Sequence, residues 1–192
     1  MASRQGIDVS HYQGDIDWVA VQAAGIEFAF IKATDGITNT DPKFTDNWSR
    51  AQLAGVSTGA YHFFRPEDDP MQQAQHFIAT FTAAGFSRNN LPMALDVEVA
   101  GDVGSADLLK SVSTILAAIE QATQVTPLIY TAPSFWDTAI GASLNHYPLW
   151  IANWTSSSTP TLPGGWSDWQ YWQYSESGTV AGISGPVDMN RG

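Results

Sequence analysis

The sequence predicts an α/β protein, a β/α barrel built from five βα-type units and closed by a helix-poor final third. Three observations carry this. Short runs rich in β-branched and aromatic residues, Gly6-Ile7-Asp8-Val9 and Phe28-Ala29-Phe30-Ile31 first among them, alternate with helix-like segments; such alternation produces mainly parallel sheets with right-handed crossovers. Apolar residues in the intervening segments recur at helical spacing. After residue 145 that spacing stops while strand-like runs continue. An open doubly wound sheet is the competing architecture.

In chain order, the first strand is Gly6-Ile7-Asp8-Val9. A small helix follows, with Asp17 as N-cap, Ile16 before it as a hydrophobic staple and Gly25 as its stop. Phe28 to Ile31 and Thr58 to Phe64 are the next strands. Met71 to Ala84 sets Ala74, Phe77, Ile78 and Phe81 on one helical face, with Asp69-Pro70 opening it and Gly85 ending it. Met93 to Val97 is a strand. Ala106 to Ala122 carries a stripe of Leu108, Val112, Ile115, Leu116 and Ile119, with Ser105 as its cap. Leu128 to Tyr130 makes a fifth strand. Leu149 to Ala152, Trp169 to Tyr174 and Val187 to Met189 read as further strands, and Thr155 to Gly165 has the Ser, Thr, Pro and Gly content of a surface loop.

At 192 residues, with 44% hydrophobic and 14% charged residues, the chain 1–192 fits one folded domain. The formal net charge of -11 sets up a field that repels phosphate backbones, which excludes nucleic acid as a partner. No apolar stretch approaches the roughly 20 residues of a membrane span. Cysteine is absent, so thiolate metal sites and disulfides are excluded. Met1-Ala2-Ser3-Arg4-Gln5 lacks the apolar core of a signal peptide, so an export route is not legible here. A monomer is expected.

Leu95-Asp96-Val97-Glu98 is the most informative stretch. Residues two apart on a strand share a face, so Asp96 and Glu98 project together from the strand's C-terminal end, where β/α architectures carry their active sites. Neighbouring carboxyls titrate apart, leaving one able to hold a proton near neutrality. Asp8 lies in the first strand and Asp188 in the last, and these two strands are neighbours in a closed barrel, so four acids converge at one mouth. Only 8 basic residues stand against 19 acidic ones, which favours an acidic pocket over ion pairs.

Six of the eight Trp fall in the final third: Trp136, Trp150, Trp154, Trp166, Trp169 and Trp172. Most are packing residues; two or three are expected at a ligand. Acids beside aromatic faces suit a saccharide cleft, since sugar rings stack on such faces. The four His residues show no metal-binding spacing. For His62, both a place in the site and a satisfied core position fit the local sequence. An oxygen-ligand metal site of Asp8, Asp96, Glu98 and Asp188 is conceivable but lacks supporting motifs.

Together these residues resemble the glycoside hydrolase family 25 lysozymes, the Chalaropsis-type muramidases. The similarity runs, in order, through Gly6-Ile7-Asp8-Val9-Ser10-His11-Tyr12-Gln13-Gly14, Ile16-Asp17-Trp18, Phe30-Ile31-Lys32-Ala33-Thr34, Gly59-Ala60-Tyr61-His62-Phe63, Leu95-Asp96-Val97-Glu98, Leu149-Trp150-Ile151-Ala152, Trp172-Gln173-Tyr174 and Val187-Asp188-Met189-Asn190. It implies a flattened, TIM-barrel-like (β/α) barrel that cleaves the β-1,4 bond between N-acetylmuramic acid and N-acetylglucosamine in bacterial peptidoglycan. It further implies Glu98 as catalytic acid, Asp96 as its partner, Asp8 and Asp188 as further pocket acids, and Tyr61, Tyr130, Trp154 and Gln173 as groove residues. His62 is carried with them. Asp35 departs from the Glu expected after Lys-Ala-Thr. No cofactor and no metal are implied, and the site of action is the bacterial wall, outside the cell. The competing readings are a catalytically silent peptidoglycan- or chitin-binding module, a chitin-cleaving barrel and a divalent-metal hydrolase.

Overall fold

The apolar runs fold as nine strands among the described residues: β1 (Gln5–Val9), β2 (Phe28–Asp35), β3 (Asn39–Thr40), β4 (Ser57–Phe63), β5 (Ala94–Asp96), β6 (Leu128–Thr131), β7 (Leu149–Ala152), β8 (Tyr171–Gly178) and β9 (Val187–Arg191). This computed structural model describes residues 4–192; residues 1–3, part of the N-terminal stretch read for a leader, lie outside the described residues. Strands β1, β2, β4, β5, β6, β7 and β8 run parallel in that order. β9 then pairs antiparallel with both β8 and β1 and closes an eight-stranded barrel. The open-sheet alternative is thereby ruled out. The short β3 extends β2 as a hairpin.

Five helices follow the first strands: α1 (Trp18–Ala23), α2 (Phe44–Leu53), α3 (Pro70–Ala83), α4 (Ser105–Thr123) and α5 (Pro133–Ala139). Asp17 accepts hydrogen bonds from the amides of Val19 and Ala20, and Asp69 from that of Gln72, so both expected caps form. Ser105 does not cap α4: Gly104 holds that position, and Ser105 is the first helical residue. α2 and α5 are preceded by Lys43 and Ala132, neither of which makes a side-chain cap bond, and the start signal that α5 does carry is Pro133 at its first position.

Alternation along the strands divides the core in two. Outward residues such as Ile7, Ile31, Leu95 and Ile129 pack against Trp18, Phe44, Phe77, Leu116 and Trp136 of the helices. Inward residues fill the barrel with rings, chiefly Phe28, Phe30, Tyr130, Trp150 and Tyr171. Room for them comes from glycine on the flanking strands. A Cβ on Gly6 would lie 2.3 Å from the Phe28 ring, and one on Gly59 would lie 2.6 Å from the Phe30 ring, distances that close-packed interiors forbid. Over β7 and β8, where no helix follows, Trp166, Trp169, Leu162 and Tyr174 cover Leu149, Ile151 and Trp172 instead. Much of the tryptophan excess is this helix-free roof.

Candidate active site

Each parallel strand points its C-terminal end to one mouth, where Asp8, Asp96, Glu98 and Asp188 line a cleft of about 310 Å³. Asp96 ends β5. Glu98 stands two residues on, in the following loop, and reaches the solvent at the rim. Asp8 and Asp188 face each other directly across the β1–β9 seam. Tyr61, Tyr130, Trp154 and Gln173 also line this cleft. The structure therefore brings together eight of the nine expected site residues.

His62 is the exception. Tyr61 and Phe63 point into the barrel, so His62 between them points out, fully buried under α3. Its Nδ1 lies 2.7 Å from Thr34 Oγ1 and its Nε2 3.1 Å from Gln73 Oε1. Gln73 Nε2 donates to the carbonyls of Arg65 and Asp68, which fixes Oε1 as the acceptor and places the His62 proton on Nε2. Burial lowers the His62 pKa from 6.5 to about 4, outweighing the Gln73 bond. The unfolded chain binds this proton below 6.5 and the native chain only below about 4. His62 thus adds stability above 6.5 that is lost as pH falls through about 4. His62→Gln, which does not titrate, is expected to lose less stability than wild type between those values in denaturant melts.

Amides organise the acids. Gln173 Nε2 and Asn190 Nδ2 donate to Asp8 Oδ2 at 2.9 and 2.7 Å. Gln173 Oε1 in turn accepts from Tyr130 Oη and Trp154 Nε1, both at 3.1 Å, and Asn190 Oδ1 accepts from Trp150 Nε1 at 2.7 Å. Indole N–H groups only donate, so the orientation of both amides is fixed. Burial, followed by the charge of Asp188, holds Asp8 well above the usual carboxylate range against these two bonds. Burial also raises Asp188, which its bond with Asp8 pulls down. The two facing carboxyls therefore titrate as a pair, both raised by burial.

Asp96 is buried, and its Oδ1 has no hydrogen-bond partner among the described residues. Burial and then the Glu98 charge push it well above its ordinary value, with Lys32 pulling the other way. Glu98 is raised too, by partial burial first and by Asp188 after, against Lys32 and Arg65. Burial thus outweighs the neighbouring carboxylates that the sequence suggested as the cause. Burial, then the surrounding acids, keeps the phenols of Tyr61 and Tyr130 protonated as donors.

Of the six late tryptophans, Trp150 and Trp154 line the cleft; Trp150 is buried and Trp154 is 54% exposed. The cleft also contains Tyr12, 82% exposed and tilted against His11 with centroids 4.2 Å apart, together with Lys32, Phe63 and Glu176. Sequence reasoning missed these. For Lys32 a signal existed, because it continues the inward series of Phe28 and Phe30. Among the described residues no three His, Asp or Glu side chains are grouped so as to hold a metal ion, and no helix is long and apolar enough to cross a membrane.

Comparison with known proteins gives the chain relatives over nearly its whole length. Residues 7–183 match the sequence profile of Glycosyl hydrolases family 25. Lysozyme M1 of Streptomyces globisporus is 39% identical over 199 residues, covering 97% of this chain and 67% of that protein. The N,O-diacetylmuramidase of Chalaropsis sp is 32% identical over 203 residues, covering 96% and 95%. Among solved structures, the bacterial lysozyme from Streptomyces coelicolor aligns with a TM-score of 0.91 at 38% identity, covering 99% of this chain and 92% of that one. A family 25 lysozyme from Aspergillus fumigatus aligns with a TM-score of 0.87 at 28% identity, covering 99% and 93%. A family match over residues 7–183, relatives above 30% identity over nearly the whole chain and a shared barrel fold lead to one assignment: the chain belongs to glycosyl hydrolase family 25.

Proposed function

We propose that this glycoside hydrolase is a lysozyme, an N-acetylmuramidase acting as a single monomeric domain on bacterial cell-wall peptidoglycan. It hydrolyses the β-1,4 bond between N-acetylmuramic acid and N-acetylglucosamine. The observation that carries the reading is the pairing of a buried acid, Asp96, with a rim acid, Glu98, at one strand end, flanked by exposed aromatic faces.

Glycoside cleavage needs a proton at the leaving oxygen and negative charge near the developing oxocarbenium ion. In the empty cleft, burial favours the proton on Asp96. A bound sugar reverses this preference. Its acetamido N–H donates to Asp96, which favours the ionised carboxylate, while its bulk dehydrates Glu98, which favours the acid form. Glu98 then protonates the leaving oxygen, and the acetamido oxygen, oriented by Asp96, attacks the anomeric carbon. Water completes the reaction with Glu98 as base. The Asp8–Asp188 pair and Gln173 hold Tyr130 and Trp154 in place around the sugar.

The test is mass spectrometry of borohydride-reduced fragments released from purified peptidoglycan. Reduced muramic acid ends are expected, with retained configuration in the first product by NMR. Reduced glucosamine ends would make the enzyme a glucosaminidase, inverted product would remove the acetamido route, and absence of release would favour a binding module.

A further inference from the structure

Lys32 is the one cation lining the cleft among the described residues, and it bonds neither catalytic carboxyl. Its Nζ lies 3.1 Å from Asp35 Oδ2 and 4.6 Å from the centre of the Phe63 ring. Asp35 is gripped from the other side by Arg65, whose Nε and Nη2 donate to its two oxygens at 2.6 and 3.0 Å. The Arg65 guanidinium also sits over Phe63, at 4.5 Å. Asp35, Phe63 and Asp96 stand in register on β2, β4 and β5, so the cluster lies directly beside the acid pair. The side chains of Lys32 and Asp35 are only 14% and 13% exposed, which limits solvent screening.

We propose that Lys32 is a positioning residue that sets the ionisation of the Asp96–Glu98 pair, and that Asp35 and Arg65 tether it so that it acts across a gap. The proposal rests on reading Glu98 as the acid and Asp96 as its ionised partner. A buried carboxyl with a partnerless oxygen keeps its proton unless a cation is near. A cation bonded to Glu98, by contrast, would hold it ionised and remove the acid. The tether satisfies both demands. Burial alone would raise Asp35, but the Arg65 and Lys32 bonds outweigh it and keep Asp35 below the usual carboxylate range. The other groups facing the pair are Asp8 on β1, Asp188 on β9, Glu176 behind Asp188, and the phenols of Tyr61 and Tyr130. These are all acidic; Arg65, held on Asp35, is the further cation, and it acts on Glu98 less than Lys32 does and is not among the groups that act on Asp96.

The test compares pH profiles of kcat/KM for wild type, Lys32→Met, Lys32→Arg and Asp35→Asn, beside 13C titration of the Asp96 carboxyl. In Lys32→Met both limbs are expected to move up by about one unit, and so does the Asp96 midpoint. Lys32→Arg keeps the limbs near wild type. Asp35→Asn frees Lys32 to approach the pair and moves both limbs down. A Lys32→Met enzyme with unmoved limbs and an unmoved Asp96 midpoint would overturn the proposal, whether it lost kcat or gained KM. Failure of the underlying reading has a different signature, full activity in Glu98→Gln.

Discussion

Glu98→Gln is expected to lower kcat/KM for glycan cleavage by about 10³-fold, the loss typical of removing a positioned general acid. Gln matches Glu in shape but has no proton to give. Because Glu98 sits at the solvent-exposed rim, its removal should change stability by no more than about 0.5 kcal/mol. Reducing-end release from peptidoglycan reads the first effect and thermal melting the second. A variant that kept a tenth of wild-type activity would move the acid role to another carboxyl of the cleft. The unchanged melt separates lost chemistry from lost fold.

Asp96→Asn is expected to remove most activity and yet raise the melting temperature near pH 7 by a few degrees. The sign follows from burial. The native carboxyl holds its proton to a higher pH than the unfolded chain does. Its favourable contribution is therefore complete below the unfolded carboxylate range and is lost as pH rises toward the native value. Asparagine does not titrate, so its advantage appears at neutrality and fades near pH 4. Melts at the two pH values check this. An Asn variant less stable at pH 7 than at pH 4, relative to wild type, would show that the native site stabilises the ionised form.

Period-two reasoning explains most of what the residues disclosed in advance. It placed Asp96 and Glu98 together, and closure of the barrel brought Asp8 and Asp188 face to face as expected. Applied consistently, the same alternation separates His62 from Tyr61 and adds Lys32 to the cleft; it was used for the acids and not for these. Other features lay beyond any local pattern. The Lys32–Asp35–Arg65 cluster joins the end of β2 to the loop after β4, about thirty residues on, so no local spacing marks it. Two of the six late tryptophans, Trp150 and Trp154, line the cleft, within the two or three expected at a ligand, and Trp166 and Trp169 belong to the roof that covers Trp172 in place of missing helices. Composition reports how many rings a chain has, not which side of a sheet they cover. α2 and α5 lack a capping side chain, as α4 does, but α4 was legible from the apolar stripe along its 19 residues, which the 10 residues of α2 and 7 of α5 are too short to repeat.

The seam between β1 and β9 bears on how the protein acquires activity. Asp8 and the Asn190 amide that holds it are 182 positions apart in the chain. Contacts of such separation carry the largest loop-closure entropy and form slowly. The β2–β4–β5 portion can dock its helices through nearer neighbours, but the carboxyl pair exists only once the chain's two ends have met. A ribosome-bound or partly refolded molecule is expected to gain its helices before its cleft. Catalytic turnover is therefore a stricter report of complete folding than circular dichroism, and its recovery after denaturant dilution should lag behind the return of secondary structure.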